Sequence, residues 1–106
     1  MREIRFHKNV LLFLEDLIDL LIEKEYFSFY DTSVMYMEDI VSYITENIET
    51  ASHEQAPHYF SRFGDNLYYI TYNRNKKTSW YILFEKGYDY YFIRYITNNH
   101  VAGQYF

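Results

Sequence analysis

Apolar and polar positions change period along this chain, and the changes mark its elements. Arg2-Glu3-Ile4-Arg5-Phe6 alternates, which predicts a first strand with Ile4 and Phe6 on one side. From Asn9, a helix cap by residue type, Val10, Leu14, Leu17, Ile18 and Leu21 recur at helical spacing to about Lys24. Glu15, Asp16, Asp19 and Glu23 fall mainly on the opposite side. Leu12, Phe13 and Leu20 widen that apolar stripe beyond what one neighbour needs. Tyr26–Tyr30 reads as an aromatic connection, followed by three alternative caps, Asp31, Thr32 and Ser33. Val34, Met37, Val41, Ile44 and Ile48 then trace the core stripe of a second helix ending near Thr50, with Met35 and Met37 read as packing residues. Ala51–Pro57 is a loop, and His58–Phe63 a short aromatic-basic bridge, before Gly64-Asp65 turns the chain.

Three short strands follow, at Leu67–Asn73, Ser79–Glu85 and Asp89–Thr97. Arg74-Asn75-Lys76-Lys77 and Lys86-Gly87 connect them. The order strand–helix–helix–strand–strand–strand predicts one α+β domain over residues 1–106, with two helices packed on a small, mainly antiparallel sheet. Trp80, Ile82, Phe84, Phe92 and Ile96 share one parity, and Tyr81, Leu83, Tyr91, Ile93 and Tyr95 the other. Strands apolar on both faces are covered on both. Two helices cover one, so the other is expected to meet a partner, a second copy through an exposed sheet face, or the chain's own termini.

Composition narrows the chemistry. At 106 residues with 49% apolar side chains, the chain is long enough for one core. The 14 Tyr and 9 Phe suit a tyrosine-rich sheet or an aromatic platform. The absence of cysteine removes disulfides and thiolate metal sites. No cleavable leader pattern opens the chain, and Val10–Leu14 is far too short to span a bilayer, so a cytoplasmic protein without membrane contact is expected. The net charge of −5 is uneven: residues 1–57 carry four basic and twelve acidic side chains, residues 58–106 six basic and three acidic. Overall acidity argues against indiscriminate nucleic-acid binding, while the basic half suits a local phosphate-facing patch.

Candidate chemistry gathers late. Arg94 on the last strand precedes Asn98, Asn99 and His100. An arginine holds phosphate, the amides hydrogen-bond, and a histidine moves protons near neutral pH. His53 and His58 flank Glu54, but their spacing fits no single helical face and Pro57 interrupts it, so no metal and no cofactor are assigned. Three scattered glycines make no phosphate loop.

The element order, together with Tyr91-Phe92-Ile93-Arg94-Tyr95-Ile96-Thr97-Asn98-Asn99-His100, resembles the RelE/ParE superfamily of bacterial toxins, and most of all its HigB-like branch. There a strand of the type Ile-Arg-Phe-Ile precedes a histidine and then a tyrosine, places filled here by His100 and Tyr105. The resemblance implies a toxin restrained by an antitoxin protein. Its action is either ribosome-dependent mRNA cleavage, without metal and through 2′-hydroxyl attack on phosphate, or gyrase poisoning. On the cleavage branch Arg94 neutralises the transition state, His100 transfers protons, and Tyr105 stacks or relays. Arg74, Lys76 and Lys77 hold flanking phosphates, and Asn98-Asn99 fix the nucleotide. The chain departs from the family in its acidity and in its thinner set of cations. The residues alone leave open a non-catalytic interaction module of the same fold.

Overall fold

The computed structural model describes residues 2–23 and 30–106. The aromatic connection expected at Tyr26–Tyr30 falls, apart from its last residue, outside the described residues, as do the side chains of Leu21 and Asp31. Strand β1 (Glu3–Phe6) leads into helices α1 (Lys8–Glu23) and α2 (Tyr30–Asn47). A two-residue strand β2 (Glu54–Gln55) and a 3-10 helix (His58–Phe63) precede β3 (Tyr68–Asn73), β4 (Ser79–Lys86) and β5 (Tyr90–Asn98). The chain closes with a short helix α3 (Asn99–Ala102) and a 3-10 turn (Gly103–Tyr105). The fold is α+β.

One mixed sheet runs in the order β1-β5-β4-β3-β2. β1 is parallel to β5, pairing Glu3 with Tyr90 through Phe6 with Ile93, and the other neighbours are antiparallel. The helices cover one face. Val10, Leu14 and Leu17 of α1, Ile40 and Ile44 of α2 and Ile48 just past its end bury against Ile70, Trp80, Ile82, Phe84, Ile93 and Ile96, with Ile4 and Phe6 beside them. Ile40 belongs to this stripe although the expected one passed over it. Met37 packs as expected, but Met35 is 64% exposed, because it stands on the outer side of α2.

α1 starts one residue before its expected cap. The backbone carbonyl of His7 accepts from Val10 and Leu11, and its Nδ1 accepts the Asn9 N–H, so His7 caps the helix and Asn9 lies inside it. α2 likewise takes Thr32 and Ser33 into its first turns, and Ser33 is buried.

The second face of the sheet is covered by the chain itself. Phe60 and Leu67 pack on Leu83 and Ala102, ringed by Phe63, Tyr69, Tyr81, Tyr95, Tyr105 and Phe106. Phe106 stacks on Tyr81 at 3.9 Å between ring centres, and Phe63 on Tyr95 at 4.0 Å. Of the three coverings expected for this face, a partner, a second copy or the chain's own termini, the structure places the C-terminal residues on it, together with the 3-10 helix.

A β-bulge alters the expected parity of β5. Leu83 pairs with Tyr95 but Phe84 with Ile93, which leaves Arg94 as the extra residue. Ile93 and Tyr91 thereby move to the helical face with Ile96, and strict alternation fails at the residue singled out for chemistry.

Candidate functional site

Two separate grooves hold the polar residues of the basic half. The first lies where the β3–β4 hairpin meets α3. Asn75 Oδ1 accepts the backbone N–H groups of Lys77 and Thr78, each at 2.9 Å. This is the local turn chemistry that makes asparagine favoured at such positions, and it pushes Lys76 and Lys77 out at the tip. Asn98 closes the facing side as the cap of α3, its Oδ1 accepting from His100 N at 2.9 Å and Val101 N at 3.1 Å. Asn99 joins the two pieces. Its Oδ1 accepts from Ser79 N at 2.9 Å and its Nδ2 donates to Lys77 O at 3.0 Å. His100 Nε2 then lies 3.0 Å from Thr78 Oγ1.

Asn75, Lys76, Lys77, Thr78 and His100 thus line an open groove of about 530 Å³. Neither lysine joins an ion pair among the described residues. Two free cations and an exposed imidazole can hold an anion and exchange a proton with it. Asn98 and Asn99 position this groove through bonds to the backbone. Their side-chain oxygens are already engaged, which accounts for them without a nucleotide.

Arg94 is elsewhere. It precedes the end of β5 by four residues, about 13 Å at strand rise. Its guanidinium turns the other way, donating from Nη1 to Glu85 Oε1 at 2.9 Å and lying 5.3 Å from the Phe92 ring centre. Gly64 makes room for that carboxylate: at φ 153° its backbone disfavours a side chain, and a Cβ there would lie 2.5 Å from Glu85 Oε1. Arg94 instead helps line a second groove of about 490 Å³ with His7, Phe13, Arg62 and Phe63.

Arg74 and Tyr105 are likewise engaged. Arg74 Nη1 donates to Asp39 Oδ2 and to Tyr72 OH, and its guanidinium sits 4.5 Å from the Tyr36 ring centre. These hydrogen bonds, with Tyr72 first, tighten its hold on its proton and tie the end of β3 to α2. Tyr105 stacks on Tyr59 at 3.5 Å, within the aromatic cluster on the second face of the sheet. A hydrogen bond with Tyr105, followed by one with Arg62, holds the Tyr59 phenol below its ordinary range.

The structure therefore gathers His100, Lys76 and Lys77, with Asn98 and Asn99 as supports; Arg74 joins the same hairpin by its backbone, but its side chain, like those of Arg94 and Tyr105, is engaged elsewhere. Thr78 and Asn75 were not singled out by sequence reasoning, although Asn75 before two lysines is itself a turn signal. Arg62 was also passed over, since nothing in its spacing shows that it will lie 4.8 and 4.6 Å from the Tyr59 and Phe63 ring centres. His53, once weighed as a metal ligand, packs edge-on to Phe84 at 5.0 Å and bonds to the Ile48 carbonyl. Among the described residues no helix is long and apolar enough to cross a membrane. No protein-family model, curated protein or solved structure matches the chain.

Proposed function

We propose that this chain is a toxin-like protein of the RelE/ParE type that acts on RNA at the hairpin groove. The observation that carries the reading is the meeting of His100 with the unpaired Lys76 and Lys77 across Thr78. Cleavage of RNA without metal needs a base for the ribose 2′-hydroxyl and cations for the phosphate. As O2′ bonds to phosphorus, His100 accepts its proton, and the imidazolium returns one to the departing 5′-oxygen. The products are a 2′,3′-cyclic phosphate and a free 5′-hydroxyl. Lys76 and Lys77 offset the charge that builds on the phosphoryl oxygens. The acidic helical half faces away from the RNA, and the ribosome supplies the message. An antitoxin protein restrains the activity.

The engagement of Arg94 by Glu85 favours one second reading, a non-catalytic interaction protein of the same fold. Induced expression in a bacterial host separates the two, with growth and pulse-labelled protein synthesis as readouts. Ribosome-bound message is then examined for 2′,3′-cyclic phosphate ends. On the catalytic reading the native chain stops translation. His100→Ala relieves the arrest by about 10²-fold or more in cleavage rate, and Lys76→Ala/Lys77→Ala relieves it with unchanged melting. Undiminished arrest in both variants sinks the assignment. An equal loss in Arg94→Ala, with melting unchanged, would extend the site beyond the hairpin groove.

A further inference from the structure

The outer side of α1 carries a feature that neither groove explains. Leu12 and Leu20 are 49% and 43% exposed, in one row with Asp16 between them at four-residue steps. Beside that row Phe13, Asp16, Leu17, Asp19 and Leu20 line a hollow of about 310 Å³ with an apolar floor and an acidic rim. Across α1 and α2 the sequence places eight carboxylates and a single lysine, Lys8, at the start of α1. Neither Asp16 nor Asp19 is in an ion pair among the described residues. Helices of this length normally mix both signs on the outer face and carry cations near the C-terminal end, where the helix dipole is negative. Asp39 of α2 is held by Arg74, but among the described residues no cation meets Asp16 or Asp19, whose like charges repel one another.

We propose that this face docks a cationic amphipathic helix from a partner protein. Its leucine-type side chains enter the Phe13–Leu17–Leu20 hollow, and its lysines or arginines meet Asp16 and Asp19. Charge selects this occupant. A second copy would set two anionic layers against each other, and anionic lipid or nucleic acid would be repelled in the same way. Length agrees: the 16 residues of α1 offer about 24 Å of helix, or four turns of a partner. The surface shares no residue with the hairpin groove, so it stands whether or not RNA is cleaved.

The test uses a fluorescein-labelled peptide of about 16 residues, with leucine at helical spacing and lysine elsewhere. A matching peptide with glutamate in place of lysine is the control, and binding is read by fluorescence anisotropy. Saturable binding of the lysine peptide at tens of micromolar, weakened by salt, is expected. Leu12→Ser/Leu20→Ser and Asp16→Lys/Asp19→Lys should each weaken it about tenfold or more with unchanged melting, while His100→Ala binds as the native chain does. Absence of saturable binding overturns the proposal. So does full affinity in the leucine pair, which would mean general charge attraction, or equal binding of the glutamate peptide. A dimer in light scattering that the leucine pair abolishes would assign the face to a second copy and overturn the partner helix.

Discussion

Replacing Asn99 by alanine removes both hydrogen bonds that hold the β3–β4 hairpin to α3. The two losses are unequal. Lys77 O is exposed and regains a partner from water, whereas the Ser79 N–H is partly buried and pays for part of its desolvation, about 1–2 kcal/mol. Alanine is the better helix former at this first position of α3 and returns about 0.5 kcal/mol. The net destabilisation should be about 1 kcal/mol. In urea that moves the unfolding midpoint down by about 0.3–1 M with the slope unchanged. Native-state amide exchange supplies the local measurement: the Ser79 amide should lose protection while the amides of Ile82 and Ile93, deep in the sheet, change only with global stability. Because Asn99 holds the groove's two sides together, any cleavage of the kind proposed above should fall with it through position alone. An unchanged urea midpoint together with unchanged protection at Ser79 would refute this account of how His100 is placed.

Two further outcomes follow from contacts outside the groove. Phe106→Ala takes away a ring that touches Tyr81, Tyr69 and Phe60. Full burial would make that cost 3–5 kcal/mol, and at partial exposure it should cost about 2–3, with a fall in melting temperature of about 10 °C or more and new dye binding by the uncovered aromatic face; an unchanged melt would show that the C-terminal ring does not seal the sheet. Glu49 is held below the usual carboxylate range, first by the Arg2 N–H and then by the Tyr91 hydroxyl. Its unfolded form binds the proton more readily, so the stabilisation is present above the unfolded value, about pH 4.3, and is lost as pH falls through the folded one. Chemical unfolding from pH 6 to pH 3 should therefore show a shallower acid decline in Glu49→Gln, and identical slopes would rule the linkage out.

Much of the fold was legible because the side chains that meet across the helix–sheet core recur at the period of their element. Ile4 and Phe6, the α1 stripe and the alternating Trp80, Ile82 and Phe84 all point where their period says. What escaped is non-local. His7 replaces Asn9 as cap because its ring and carbonyl are both turned back by the end of β1. The bulge at Arg94 depends on how β5 meets β4, which no period within β5 encodes. The lid of the second face was one of three open possibilities, and only the path of the C-terminal residues decides for Tyr105 and Phe106. In the site, His100 and the lysines could be chosen by residue type. That Arg94 and Arg74 would be occupied by Glu85 and Asp39 could not, since those carboxylates meet them only through the folded sheet and helix.

The parallel pairing of β1 with β5 has a consequence for the order of events during synthesis. Among the described residues β1, made before every other strand of the sheet, has β5, made after the others, as its one sheet neighbour. That neighbour follows on the order of 85 residues later, several seconds at ordinary rates of elongation. Throughout that interval α1 and α2 have no sheet to lie on, since β3, β4 and β5 are still emerging. The hairpin and α3, which together build the groove, are joined by Asn99 only after β5 is in place. On this order of events the hairpin groove is assembled only after β5 has left the ribosome.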